Sequence, residues 1–251
     1  MTFNIHTFVR GLLVAIVLTA WWRAWRTGSP GIAFVTTVAA IGAGVAWTRW
    51  RATQGRRFIL AQPFPAFLRA KLRGHYPRLD DRQIADIERG LRQFFVASAQ
   101  AGGRFVAMPS KAVDALWHEF ILHTRGYEAY CRRAFGRLLH HTPAEALPPG
   151  TDAGSQRHAG LRRAWYWSCK EEGIDPKRPA ALPLLFALDA ALAIEGGYRY
   201  VPDCTRLGAD RGTTHCGTSF GCGSSCGSAS GGDGDGSGDG GCGGGCGGGG
   251  D

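Results

Sequence analysis

With 251 residues, 29 Lys plus Arg and 20 Asp plus Glu, the chain can hold one medium domain with accessories and carries a net charge of +9. That charge is segregated: residues 1–57 have seven arginines and no acid, residues 58–211 have 22 basic and 16 acidic side chains, and residues 212–251 have four aspartates and no Lys or Arg. Arginines beside apolar spans argue for a membrane face and against a nucleic-acid partner, and eight cysteines, six of them in or just before a glycine-rich tail, argue against a disulfide-stapled core.

Two apolar stretches open the chain. GLLVAIVLTAWW (11–22), extended back through Phe3, Ile5, Phe8 and Val9, reaches about twenty residues, the length a helix needs to cross a bilayer core. It includes Arg10, whose stem can snorkel. GIAFVTTVAAIGAGVAW (31–47) is uncharged, with small residues at Gly42, Ala43 and Gly44 that suit close helix contact. Gly28 and Pro30 mark a turn between them, and Trp21, Trp22, Trp25, Trp47 and Trp50 fall at the ends, as interfacial aromatic belts do. The pattern predicts a transmembrane helical hairpin with a basic flank over 1–57. A cleaved signal peptide is disfavoured because TAWWRAWR offers no small-x-small site. Arg49, Arg51, Arg56 and Arg57, followed by Arg69, Lys71 and Arg73, outnumber Arg23 and Arg26 in the turn. This bias predicts a multi-pass protein of the inner (cell) membrane with main domain and tail cytoplasmic, and therefore free cysteines.

Residues 58–211 read as an all-α domain. Ile84, Ile87, Leu91, Phe94 and Phe95 recur at helical spacing behind an N-cap candidate at Asp80 or Asp81. Ser110 is placed to cap the next helix, a later helix ends near Gly173, and LPLLFALDAALAI (182–194) is apolar almost all round, as core helices are. No β-alternating run is evident.

DALWHEFILHTRGYEAYCRRAFGRLLHH (114–141) holds four of the eight histidines. On a helical wheel Asp114 and His118 share one stripe, and Glu119 and His123 share another, so each acid can fix its histidine's tautomer. A buried histidine satisfied by a neighbouring acid is the commoner use of that arrangement, which is also the usual surrounding of a metal-bound histidine. A second helix after residues 124–126 places Tyr127, Cys131, Ala134, Leu138 and His141 on one stripe. An antiparallel turn brings His118 opposite Cys131. The candidate metal ligands are Asp114, His118 and Cys131, with Tyr127 as a further candidate member of the site and His141 joining only through a remote contact. Cys131 and His141 lie about 15 Å apart along a continuous helix and cannot share an ion. His75 or His158 are the remote partners open to His140 and His141. Cys131 beside His118 also admits a nucleophile, although nothing marks an oxyanion hole.

VDALWHEFILHTRGYEAYCRRAFGRLLHHTP resembles the core motif of the glycine-rich domain-containing protein-like family, with Asp114, Trp117, His118, Tyr127, Cys131, Phe135, Gly136, His140 and His141 at the matching positions. WHEF stands where plant relatives carry WHTH. LPLLFALDAALAIEGGYRYVPDC and the Cys/Gly tail resemble bacterial membrane-anchored relatives. The resemblance covers roughly residues 80–251 and implies membership of a group without an assigned activity.

The tail, 212–251, contains nineteen glycines and Phe220 as its sole large apolar side chain, a composition that predicts disorder. Its thiols Cys216, Cys222, Cys226, Cys242 and Cys246 include two C-x3-C pairs, and zinc or copper(I) are the ions such thiolates take. Two expectations from different classes result. One is a membrane-anchored binding or scaffold protein, held in the lipid bilayer and serving a protein partner, with metal bound by the helical motif or the thiol tail. The other is a membrane-bound enzyme with an Asp/His/Cys site.

Overall fold

A computed structural model describes residues 5–142, 151–203 and 214–221. The chain divides into two compact units, Met1–Gln62 with Cys131–Leu138, and Pro63–Tyr130 with Leu139–Asp251.

In the first unit α1 (Ile5–Thr27) and α2 (Pro30–Ala61) are separated by Gly28, at a φ of 68° that favours glycine, and Pro30 occupies the first turn of α2, where its missing N–H is harmless. The helices touch: the Trp21 indole N–H donates to Thr37 Oγ1 at 3.0 Å, and a β-carbon at Gly44 would meet Leu13 at 3.8 Å. Among the described residues α2 is the one helix long and apolar enough to cross a membrane, judged by length and composition. The 32 residues of α2 span about 48 Å. The apolar span expected over 11–22 is helical too, but α1 falls short of that apolarity, with Arg23 and Arg26 in its last turns. Both helices leave large apolar side chains exposed, among them Leu18, Trp21, Trp22, Ile32, Phe34 and Val38. Near the end of α2, Gly55 lies against the Ala134 backbone carbonyl so closely that any β-carbon there would collide with it.

The second unit is built around α4 (Asp81–Gln100), which packs against α5 (Lys111–Leu122), α7 (Thr151–Glu171) and α8 (Leu184–Ala191). The periodic residues Ile84, Ile87, Leu91, Phe94 and Phe95 are its buried face. Asp80 caps α4 through a capping box, accepting from Gln83 N at 2.8 Å while its own N–H donates to Gln83 Oε1 at 2.9 Å. Ser110 caps α5 by accepting from Val113 N at 3.2 Å. α3 (Phe67–His75) is pinned to α4 by Arg69, which donates from two nitrogens to both oxygens of the buried Glu88 at 2.8 Å. α6 (Thr124–Ala134) follows α5 after a short break at His123.

The fold is mostly helical, with one departure from the all-α expectation: β1 (Arg199–Val201) pairs in parallel with β2 (Thr214–Cys216). β2 and α9 (Gly217–Gly221) fall inside the segment expected to be a disordered tail from residue 212. Phe220 gives the reason: it is buried at 5% exposure, with its ring 6.0 Å from Trp165 and 6.1 Å from Phe186. One aromatic ring with a waiting pocket suffices to dock a glycine-rich strand and turn. Tail cysteines Cys222, Cys226, Cys242 and Cys246, and the expected disorder beyond 221, lie outside the described residues. Cys216 is disulfide-bonded, so it is not the free thiolate expected.

Asp189, on α8, is buried at 3% exposure. Its carboxylate accepts from Ser110 Oγ (2.6 Å), Lys111 N (2.7 Å), Ala112 N (3.2 Å) and Tyr198 N (2.9 Å). Asp189→Ala strands these donors in the interior and should destabilise the domain by roughly 3–5 kcal/mol in denaturant unfolding. A loss below about 1 kcal/mol would show that water replaces the carboxylate.

Candidate metal centre

Asp114 and His118 stand one turn apart on α5, on the stripe the sequence predicts. His118 Nδ1 is 2.9 Å from the Asp114 backbone oxygen and 3.4 Å from Asp114 Oδ2. With Nδ1–H directed to that carbonyl, Nε2 keeps its lone pair for a ligand. The third member is His141, whose Nε2 lies 3.1 Å from Asp114 Oδ1. The two imidazole rings are 4.2 Å apart, and one donor atom from each of the three residues lies within 4.8 Å of the others. His118 is half exposed at 51%, whereas His141 is 15% exposed, so the group opens on one side.

His141 reaches Asp114 because α6 does not continue. It stops at Ala134, and Gly136, at a φ of 71°, turns the chain as a left-handed glycine after a helix does. The returning segment is then held by a short relay. The Trp117 indole N–H donates to the Tyr127 hydroxyl at 3.0 Å, and that hydroxyl donates to the Leu139 carbonyl at 2.6 Å. Trp117 also presents its ring to His141 at 4.6 Å. Tyr127 is buried at 4% exposure, so the relay is a fixed support. Tyr76 adds a neutral hydroxyl near this end of α5: burial, then the charges of Asp189 and Asp114, hold its phenol above the ordinary range.

Several expectations change here. His141 was to reach the group only by a remote contact, on the assumption of a continuous second helix; the turn at Gly136 supplies the contact. Cys131 is not among the clustered ligands: its thiol is fully buried, and the residue falls in the first unit. Glu119 does not pair with His123; it bonds His75 Nε2 at 2.9 Å, while His123 ends α5 with its ring 5.1 Å from Phe67. His75 is therefore no partner for His141. His140 is exposed, and His158 packs on Phe220 at 5.5 Å, with burial and Arg162 lowering its pKa. Cys169, the other buried thiol, is pushed up to about 12 by burial first and then by Glu172 and Asp175, which leaves it protonated and inert.

The supporting pair Trp117 and Tyr127, and the anchor Asp189, were not singled out for these roles from the sequence. The one available signal for Asp189 was a lone carboxylate within an otherwise apolar helix, since such a group demands internal donors.

A family model described as UCP032817-like matches residues 54–220, and the chain belongs to that family. The match spans the whole Asp114–His141 group and ends at Phe220, the residue that docks α9. No curated protein and no solved structure matches.

Tyr127→Phe keeps the ring against Phe120, 5.3 Å away, and removes only the relay hydroxyl. It should lower stability by about 1–3 kcal/mol, because the Trp117 N–H and the Leu139 carbonyl lose their partner. The ring resonances of His141 should broaden or shift in NMR spectra; an unchanged His141 signal would separate the relay from the site.

Proposed function

We propose that this member of the UCP032817-like family is a membrane-anchored binding or scaffold protein whose helical domain binds one divalent transition-metal ion through Asp114, His118 and His141. The observation that carries the reading is the convergence of one carboxylate and two imidazoles within 4.8 Å. Two histidines and a carboxylate are a donor set suited to zinc, iron or cobalt. The relay through Trp117 and Tyr127 supports it further, since metal-binding histidines are commonly held by neighbours that fix the ring.

The half-exposed His118 favours a second reading, a membrane-bound enzyme. Three protein ligands leave coordination positions open, and a bound water there would be activated. Cys131 has no part in this version of the enzyme reading. A separate thiol site for zinc or copper(I) in the tail rests on Cys222, Cys226, Cys242 and Cys246 alone.

Purified full-length protein in detergent should bind one Co2+ per chain with the visible absorption of a low-symmetry site. His141→Ala and Asp114→Asn should each weaken the binding by about tenfold or more, while deletion of residues 222–251 leaves it unchanged. Equal binding by wild type and His141→Ala would sink the assignment, and loss on tail deletion alone would move the metal to the thiols.

Membrane anchoring is supported by α2 and by the apolar side chains that α1 and α2 leave exposed, a surface water does not tolerate at this extent. A two-span hairpin places Trp21 and Trp22 at one interface and Arg49 and Arg51 beyond the other. The excess of basic residues over the last turns of α2 and along α3, against Arg23 and Arg26 in α1, supports a cytoplasmic main domain. The disulfide at Cys216 is the observation against it, because such bonds persist in oxidising compartments. Lys71→Cys introduces a thiol at an exposed position of α3. A membrane-impermeant maleimide should label it only after permeabilisation; labelling in intact cells would put the domain outside.

A further inference from the structure

A second feature of the helical unit lies apart from the Asp114 group and uses none of its residues. Between α7, the loop that follows it and the α4–α5 loop, a cleft of about 560 Å³ is lined by five cations, Arg104, Arg162, Arg163, Lys170 and Lys177, against one acid, Asp175. No carboxylate lies within ion-pairing distance of any of the five among the described residues. Their hydrogen bonds run to backbone carbonyls: Arg163 donates to Phe105 O at 2.6 Å and Arg104 to Ala101 O at 3.1 Å. Lys170 stands 5.8 Å over the Tyr166 ring, which is 45% exposed and forms a flat wall of the cleft beside Trp167.

Elsewhere in this unit Arg69 pairs with Glu88, Arg73 with Asp81 and Arg89 with Asp86. Five cations gathered in a concavity with a single acid repel one another on balance, and a ligand's negative charge relieves that repulsion. Arg163 registers the crowding: burial first, then Arg104 and Arg162, lower its pKa. Arginine forks match phosphate oxygens in pairs, a cleft of this size holds a nucleotide-sized molecule, and an exposed tyrosine ring offers a stacking face. We propose that this cleft is a binding site for a diphosphate-bearing ligand, with the phosphates on Arg104, Arg162 and Arg163 and any planar portion against Tyr166.

Isothermal titration of the full-length protein in detergent with inorganic pyrophosphate, ADP and adenosine tests this. Pyrophosphate and ADP should bind and adenosine should not. ADP binding several-fold more tightly than pyrophosphate would identify a nucleotide site using the Tyr166 face; equal affinities would identify the diphosphate alone as the recognised chemistry. Arg162→Glu with Lys170→Glu reverses two cations that hold no hydrogen bond in the fold, and should weaken both ligands by about tenfold or more at an unchanged melting temperature. Arg82→Glu, an exposed cation of α4 outside the cleft, should change them less than about twofold. Absence of pyrophosphate and ADP binding, or an equal effect of the Arg82 variant, would overturn the proposal. So would a single-stranded RNA that binds in preference to ADP and is insensitive to the Arg162/Lys170 reversal.

Discussion

The position of α5 depends on one buried carboxylate. Asp189 receives two N–H groups from the first turn of α5, the hydroxyl of that helix's own N-cap, and the N–H of Tyr198 ahead of β1. A helix N-terminus carries unsatisfied donors and a partial positive charge, and a carboxylate buried there is compensated on both counts. The same four bonds fix α5 in rotation as well as in place. Asp114 and His118 follow within two turns of the anchored residues, so their direction is set by α8, an element that supplies no ligand. Close packing completes the clamp: a β-carbon at Gly90 would collide with Leu188 of α8 and Val113 of α5, which leaves no room for either helix to shift.

A second polar link works the same way at the start of α8. Pro183 caps that helix without a side-chain bond, and its free N–H groups are taken by distant residues. Leu184 N donates to Glu172 Oε1 at 2.8 Å, Leu185 N donates to Gln93 Oε1 at 2.9 Å, and Gln93 Nε2 donates back to Glu172 at 2.7 Å. Three helices are joined at one helix end, with each amide and carboxylate group used. The hydrophobic face of α4 supplies the driving force for this arrangement, and these bonds select its register.

The legible parts of the sequence were those governed by local rules. The spacing of Ile84 through Phe95 gave the buried face of α4, Asp80 and Ser110 were recognisable caps, and the Asp114–His118 step placed both side chains on one stripe. Contacts set by chain reversal were not legible in the same way. Treating 127–141 as one helix put His141 about 15 Å from Cys131 and away from Asp114. Yet Arg132 and Arg133 followed by Gly136 is a helix-stop pattern, and reading it as one would have returned the chain toward α5. The four-residue rule that pairs Glu119 with His123 holds only while a helix continues; His123 is where α5 ends, and a residue 44 positions earlier takes the acid. In composition Phe220 is an isolated ring in a glycine tail, since composition cannot show the Trp165–Phe186–Tyr200 pocket that receives it.

How the polar groups are satisfied separates supports from sites. Asp189, Glu88, Gln93 and Glu172 have their partners inside the fold, and the domain would lose structure without them. Asp114 is different. Its carboxylate is shared between two imidazoles at 3.1 and 3.4 Å, is itself one-third exposed, and faces a histidine ring that is half in solvent. Two histidines around one acid are more donor capacity than a cap or a core bond needs, and the relay through Trp117, Tyr127 and Leu139 spends buried hydrogen bonds on orienting the second of them. Asp114, His118 and His141 would hold an ion here, and binding would release any proton carried on the ligating nitrogens. The uncompensated arginines of the α7 cleft are the complementary case, where the missing partner is an anion. In both places the fold holds charges in an arrangement that its own residues leave incomplete, and that incompleteness distinguishes a surface prepared for a ligand from one merely exposed to water.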